Sequence, residues 1–136
     1  MVTNAFPGGT TLARPDRGDA FDPNCPTRVV LDRIGDKWTA LVVGALSTGV
    51  LRFTELRTAV GGVAPKVLTQ TLRALERDGL VIRTVHAQVP PRVDYELTDL
   101  GRSLEEPLAM LTDWAEVHVA QILAARERTE AAAAPA

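Results

Sequence analysis

Several residue types on which folds or chemistries often depend are scarce in this sequence of 136 residues. A single cysteine, Cys25, excludes a disulfide framework within the chain. Only two histidines, His86 and His118, accompany that thiol. A structural zinc site is therefore disfavoured, and we expect no cofactor.

Long apolar runs and catalytic motifs are also missing. No apolar run approaches the roughly 20 residues that a helix needs to cross a bilayer. Residues 1–22 lack the charged stretch followed by an apolar segment that marks a signal peptide. No nucleophile with a base at motif spacing, phosphate-binding glycine loop or metal-ligand cluster is recognisable. We therefore expect a cytoplasmic protein that is not an enzyme.

The net charge of −2 conceals a strong asymmetry along the chain. The first 49 residues are neutral, residues 50–92 carry a net charge of +4, and residues 93–136 carry a net charge of −6. Such a division indicates a basic part that contacts a polyanion and an acidic part with another role.

Composition also divides the chain into one domain and two tails. Residues 1–22 are rich in turn formers and show no apolar period, which predicts a flexible arm. Residues 129–136 are low-complexity and alanine-rich, which predicts a disordered tail. We assign the folded domain to residues 23–128, a suitable length for a single core.

Apolar periodicity and glycine stop signals predict four helices in the first part of that domain. One helix starts near Asn24-Cys25-Pro26 and ends at Gly35, and a second is capped by Asp36 and ends before Gly49. After a short extended link come a two-turn helix, closed by Gly61-Gly62, and a helix over about 64–78.

A β-hairpin and a long helical region are predicted next. Residues 81–86 and 92–97 read as its strands, with Val93, Tyr95 and Leu97 alternating with polar residues. The last region runs from a Thr98 cap to about residue 128, with a kink or restart at Pro107. This order predicts a mainly α fold with a small β-hairpin, the winged helix-turn-helix.

The helix over 64–78 has the two faces that a DNA-recognition helix requires. Its inner side clusters Ala64, three leucines and Thr71, and four long polar side chains lie within a sector of roughly 60° on the opposite side. Such a face suits a major groove, where Arg and Lys bind guanine edges or phosphates and Gln pairs with adenine. The predicted residues are Lys66, Gln70, Arg73 and Arg77, with Thr69 at the edge.

Further DNA contacts are predicted at both ends of the basic region. Arg52 and Thr54, at the start of the preceding helix, are candidates for phosphate contacts. The proline-stiffened hairpin tip carries Arg92, which with Arg83 and His86 is placed to reach a minor groove or a run of phosphates. The alternative is that the prolines only form a turn and these cations are solvated.

The final helix carries more apolar residues than one small domain needs. Burial against a second copy would produce a two-fold dimer whose recognition helices, roughly 34 Å apart, read a pseudo-palindromic operator. The helix can also pack against the hairpin of the same subunit, and we expect both contacts, on different sides of the helix. The residues assigned to the dimer interface are Leu104, Leu108, Leu111, Trp114, Ala115, His118 and Ile122.

Four segments in the same order resemble HxlR-type transcriptional regulators, which are MarR-like winged helix-turn-helix proteins. They are residues 25–38 (CPTRVVLDRIGDKW), 51–56 (LRFTEL), 66–81 (KVLTQTLRALERDGLV) and 89–101 (VPPRVDYELTDLG). The resemblance implies a homodimer, joined through its N- and C-terminal helices, that represses its own or a neighbouring gene. It also implies a response to an oxidant, electrophile or small ligand in some members.

Cys25 matches a position where many such regulators carry a cysteine, in some of them a redox sensor. A thiol in the first turn of a helix has its thiolate favoured by the helix dipole. The alternative is a small apolar residue near the dimer interface.

A winged helix can also serve as a protein-interaction module without direct DNA readout, and an apolar outward face on the helix over 64–78 would indicate that function.

Overall fold

The computed structural model describes residues 17–133, which form six helices and a three-stranded antiparallel sheet in the order β1-β3-β2. The mainly helical winged fold expected from the sequence is confirmed. The elements are α1 (Thr27–Ile34), α2 (Lys37–Leu46), β1 (Leu51–Arg52), α3 (Phe53–Val60), α4 (Pro65–Arg77), β2 (Val81–His86), β3 (Arg92–Leu97), α5 (Asp99–Arg102) and α6 (Glu105–Ala133).

The two predicted tails are described only in part. Residues 17–22 of the predicted arm form turns, in which the Asp22 amide donates to the Asp19 carbonyl oxygen over 3.2 Å. The first 16 residues and residues 134–136 lie outside the described part of the chain. The sequence predicted that the last helix would end near residue 128, but α6 continues to Ala133 because its alanines and glutamates favour a helix.

The core lies between α2, α3, α4 and the sheet. The Asp36 carboxylate caps α2 by accepting a 2.8 Å hydrogen bond from the Trp38 amide. Leucines supply the largest fully buried side chains: Leu46, Leu56, Leu68, Leu72 and Leu75.

The turn between α3 and α4 requires glycine. Gly61 and Gly62 both have φ of 72°, a left-handed conformation that side chains with a Cβ rarely adopt. The buried Val63 follows them and anchors the turn to the core. This turn sets the angle at which α4 leaves α3, and therefore the direction that α4 presents to solvent.

The last helical region is interrupted once, as the sequence predicted. The Thr98 hydroxyl accepts a 3.0 Å hydrogen bond from the Gly101 amide and caps α5. The chain restarts as α6 at Glu105, which places Pro107 in the first turn, where a missing amide hydrogen costs nothing. α6 packs mainly against α2, whereas one interpretation of the sequence gave the hairpin as its partner within the subunit. None of the helices within residues 17–133 is long and apolar enough to cross a membrane.

Candidate nucleic-acid interface

α4 buries one side and presents the other to solvent. Leu68, Thr71, Leu72, Ala74 and Leu75 are buried against the core. Ala64, which the sequence placed on the inner side, is instead the exposed N-cap residue. The four long polar residues predicted for the outward side, Lys66, Gln70, Arg73 and Arg77, are all exposed. We call this outward side the α4 face.

The side chains of the α4 face have no intramolecular partners within residues 17–133. Neither a hydrogen bond nor an ion pair ties Lys66, Gln70, Arg73 or Arg77 to another described residue. Elsewhere in that range, by contrast, Arg33 pairs with Asp78, and Arg92 with Asp94. The charges of the α4 face are therefore available to an external anion.

Two clefts flank the α4 face. The α2 cleft, of about 440 Å³, lies between α4 and the region where α1 ends and α2 begins, and is lined by Arg33, Asp36 and Trp38 beside α4. The wing cleft, of about 340 Å³, lies between α4 and the sheet. Thr69 and the predicted DNA contact Arg83 both line the wing cleft, and Arg83 stands opposite Tyr95 in the β2–β3 pairing.

The arginine at the hairpin tip is not a free cation. Arg92 donates two hydrogen bonds of 3.0 Å to the Asp94 carboxylate, whose second oxygen also lies 3.0 Å from His86 Nε2. The paired guanidinium, followed by the His86 contact, lowers the pKa of Asp94, and Asp94 in turn raises the pKa of Arg92. The sequence treated Arg92 and His86 as open to DNA, but the structure engages both with Asp94.

Arg52 and Thr54 lie at the start of α3, beside the base of this hairpin. Both are exposed, and the Arg52 amide donates a 2.8 Å hydrogen bond to the Glu55 carboxylate, which fixes the first turn of α3. The Cα atoms of Arg52 and Asp94 are partners in the β1–β3 pairing. β1 therefore joins the start of the helix-turn-helix to the wing.

The Cys25 thiol is held in the turn that precedes α1. The Asp19 amide donates to Cys25 Sγ over 3.3 Å, and Sγ lies 3.1 Å from the Thr27 hydroxyl. Hydrogen bonding from Thr27, and then from Asp19, lowers the pKa of this thiol.

The predicted dimer stripe divides into two parts. Leu108 is 3% exposed within the core of its own subunit, and Leu104 packs partly against that core. The sequence assigned both side chains to a partner subunit, but Leu108 is not free for one, because the first turns of α6 pack against α2. Leu111, Trp114, Ala115 and Ile122 are exposed. His118 is partly buried, stacks on Trp114 and hydrogen-bonds through Nδ1 to the Trp114 carbonyl oxygen over 2.8 Å.

The model of the HxlR-like helix-turn-helix family matches residues 33–122. The chain belongs to this family. The match includes α2, the helix-turn-helix, the wing and most of α6, so the α4 face and both clefts lie within the family's domain. The HxlR-like chain is a transcriptional regulator and not an enzyme.

Individual relatives agree with this assignment. The uncharacterized HTH-type transcriptional regulator YtfH of Escherichia coli (strain K12) is 42% identical over 114 residues, which are 84% of this chain and 90% of YtfH. The structure of the transcriptional regulator ytfH from Salmonella typhimurium has a TM-score of 0.75 and 43% identity, covering 82% of this chain and 99% of that one. The reduced form of the redox regulator HypR has a TM-score of 0.65 and 37% identity, covering 73% and 98% of the two chains.

Sequence reasoning missed three features of this HxlR-like domain. Asp94 was treated as a solvent-facing strand residue, although an acid two residues after Arg92 on one strand is a detectable signal for pairing. Arg33 and Lys37 were not considered as DNA contacts, because no sequence period relates them to α4. Only the tertiary structure brings Arg33, near the end of α1, into the α2 cleft beside the α4 face, and places Lys37 next to Trp38, which lines the same cleft.

Proposed function

We propose that this HxlR-like regulator is a cytoplasmic repressor that binds a pseudo-palindromic operator as a homodimer, near its own or a neighbouring gene. The observation that carries the proposal is the α4 face, where exposed Lys66, Gln70, Arg73 and Arg77 have no partners among residues 17–133 and leucines fix the helix from below. The cytoplasmic location is part of the proposal because a repressor acts where the chromosome that carries its operator lies.

Readout of bases is assigned to the first half of α4. The N-terminal part of a recognition helix approaches the base edges, and its later turns lie nearer the backbone. Lys66, Thr69 and Gln70 therefore reach bases, whereas Arg77 is placed for phosphate. Arg83 in the wing cleft and Arg52 at the start of α3 add phosphate contacts around the same helix.

Dimerisation through α1 and α6 accounts for the apolar surface of the isolated subunit. α1 has no buried residue, and Val29 and Val30 are more than half exposed. On α6, Leu111, Trp114 and Val117 are exposed as well. An apolar groove of about 340 Å³ extends from α1 to Leu100 and Leu104, which precede α6 in the chain. A patch of this kind is costly in water, and a second copy would cover it.

Charge reversal on the α4 face tests the proposal. Fluorescence anisotropy with a labelled duplex from the upstream region of the gene should show binding by the wild type, and binding should weaken steeply between about 50 and 200 mM salt. Arg73→Glu should abolish binding while the dimer persists in sedimentation. Arg126→Glu, a reversal on exposed α6, is the matched control and should bind normally. Equal binding by Arg73→Glu and the wild type would contradict the proposed interface.

A protein-interaction module is the alternative function. It would require an apolar outward surface on α4, whereas the α4 face carries Lys66, Gln70, Arg73 and Arg77. Salt-insensitive binding of a protein partner through α4, with no DNA binding at low salt, would favour this alternative.

A redox response at Cys25 is a second proposed function, favoured by the hydrogen bonds that stabilise its thiolate. Solved relatives include the redox regulator HypR in its oxidized form and diamide-treated YodB. Two Cys25 thiols from two copies would form one disulfide, giving two electrons and two protons to an oxidant such as diamide. A diamide-dependent dimer band on a non-reducing gel, absent in Cys25→Ser, is expected. Absence of that band in the wild type would remove this proposal.

A further inference from the structure

The α2 cleft runs along one side of the α4 face, and the wing cleft runs along the other. At 100° per residue, Val67, Thr71 and Ala74 lie on the flank of α4 that lines the α2 cleft. Thr69, Leu72 and Glu76 lie on the opposite flank and line the wing cleft. The α4 face is the ridge between these two depressions.

A DNA duplex that receives this ridge must place a strand over each depression. A helix with its side chains is about 10–12 Å across, and the major groove is about 12 Å wide. When α4 occupies the groove, the two sugar-phosphate backbones therefore pass along its two flanks. One backbone lies over the wing cleft, and the other lies over the α2 cleft.

The α2 cleft has cations for that second backbone. Arg33, Arg73 and Arg77 line it, against the single carboxylate of Asp36, which already accepts the Trp38 amide as the cap of α2. Arg33 uses Nε for its 3.2 Å bond to Asp78, which leaves its terminal nitrogens without a side-chain partner among residues 17–133.

Lys37 adds a cation next to a residue that lines the same cleft. Its ammonium nitrogen lies 4.7 Å from the ring centroid of Trp38, and Trp38 lines the cleft. The attraction between ammonium and indole holds the lysine near Trp38, which lowers the entropy that it would lose on binding an anion.

We propose that Arg33 and Lys37 bind a phosphate of the DNA backbone on the side of α4 remote from the wing. This inference rests on the proposed function of α4 in DNA binding. Since phosphates are the same at every base pair, these two residues contribute affinity and register but no sequence preference. They extend the basic surface beyond the residues identified from the sequence.

The test compares variants on two labelled duplexes of about 30 base pairs, one from the upstream region and one of scrambled sequence. Lys37→Ala and Arg33→Gln should each weaken binding to both duplexes by the same factor, roughly five-fold at about 0.15 M salt. Each should also reduce the slope of log affinity against log salt concentration by about 0.9 per subunit, or about 1.8 for the homodimer. Lys37→Arg should retain binding, and so should the distant control Arg126→Ala. Unchanged affinity and slope in Lys37→Ala and Arg33→Gln would overturn the inference.

Three further measurements distinguish a DNA phosphate contact from a structural ion pair and from a site for free phosphate. Asp78→Asn breaks the ion pair with Arg33 but keeps the arginine, so this variant should bind DNA as well as the wild type. If it loses as much DNA affinity as Arg33→Gln, only the ion pair matters, and the role of Arg33 in binding phosphate is overturned. A rise in Tm with inorganic phosphate at constant ionic strength, lost in Lys37→Ala, would identify a free-anion site instead and overturn the DNA contact. If Arg73→Glu loses DNA binding but Arg33→Gln and Lys37→Ala do not, the phosphate contact inferred for the α2 cleft fails and the proposed function stands. If Arg73→Glu binds DNA normally, the proposed function itself fails.

Discussion

Arg92 and Asp94 lie two residues apart on β3, on the same face of the strand, and are joined by two hydrogen bonds of 3.0 Å. His86, which is paired with Arg92 across the hairpin, reaches the same carboxylate. Asp94 is 7% exposed, so a buried charge is held by two basic side chains at the tip end of the β2–β3 hairpin. This cluster fixes the wing in one shape before any DNA arrives.

Asp94→Asn should weaken the fold at neutral pH and flatten its acid dependence. The pKa of Asp94 is lowered mainly by the Arg92 guanidinium, so its folded-state pKa lies below the unfolded value of about 3.9. The ionised carboxylate therefore stabilises the fold above that unfolded value, and this contribution disappears as the pH falls through the lower folded value. We expect the Tm difference between wild type and Asp94→Asn to be largest near pH 7 and to shrink below about pH 4.

Thermal unfolding at a series of pH values measures this difference. Glu96→Gln removes an acid from the same strand that makes no ion pair within residues 17–133, so its Tm should follow the wild type. Parallel Tm curves for wild type and Asp94→Asn from pH 7 to about pH 3 would contradict the role given to this carboxylate.

The wing also shows which part of the fold could be predicted from the sequence. The 3.6-residue period of α4 predicted its buried leucines because each inward position meets the same apolar core. Alternation on β3 placed Leu97 inward, but it left Asp94 outward. The partners that allow Asp94 to be buried belong partly to another strand, and a period along one strand carries no information about them.

The final helix shows a similar limit. Its apolar spacing predicted a continuous stripe for a partner subunit, including Leu104 and Leu108. The contact with α2 covers the first turns and leaves Leu111 and Trp114 exposed at 62% and 55%. Periodicity identifies an apolar face, but only the tertiary packing decides which turns of that face remain available.

Two glycine substitutions should have opposite effects on stability. A Cβ on Gly101 would collide with the backbone carbonyl oxygen of Leu80, where neither atom can move freely, so Gly101→Ala should destabilise by about 1–3 kcal/mol or more. A Cβ on Gly44, inside α2, meets nothing within 4 Å, and Gly44→Ala should stabilise by about 0.5–1 kcal/mol. Urea unfolding of both variants gives the comparison. A stabilising effect of Gly101→Ala would show that α5 does not lie against Leu80 as described.

Leu111→Glu should convert the proposed dimer into folded monomers. The Leu111 side chain is exposed in the subunit, so the change costs the isolated fold little, but a glutamate would bury a charge if α6 packs on a second copy. Leu108→Ala is the matched contrast: it should lower the free energy of unfolding by about 2–5 kcal/mol because Leu108 fills the core of its own subunit. Analytical ultracentrifugation with circular dichroism separates the two results, and a Leu111→Glu protein that remains dimeric would move the interface away from this part of α6.

Gln70→Ala should relax sequence preference, while Arg77→Ala should weaken binding without changing preference. Gln70 lies in the first half of α4 on the exposed face, and its amide can pair with both edge atoms of an adenine, which is worth about 1–3 kcal/mol of discrimination. Arg77 ends the helix and is placed for phosphate, whose contact is the same at every sequence. Competition against a set of single-base-pair variants of the upstream duplex measures both effects. At one position in each half-site, Gln70→Ala should bind the original site and a site whose adenine is replaced by another base with equal affinity. Arg77→Ala should instead lower the affinity for every site by the same factor. A variant at Gln70 that weakens all sites equally would place that side chain on the backbone and would assign base readout to the remaining residues of the α4 face.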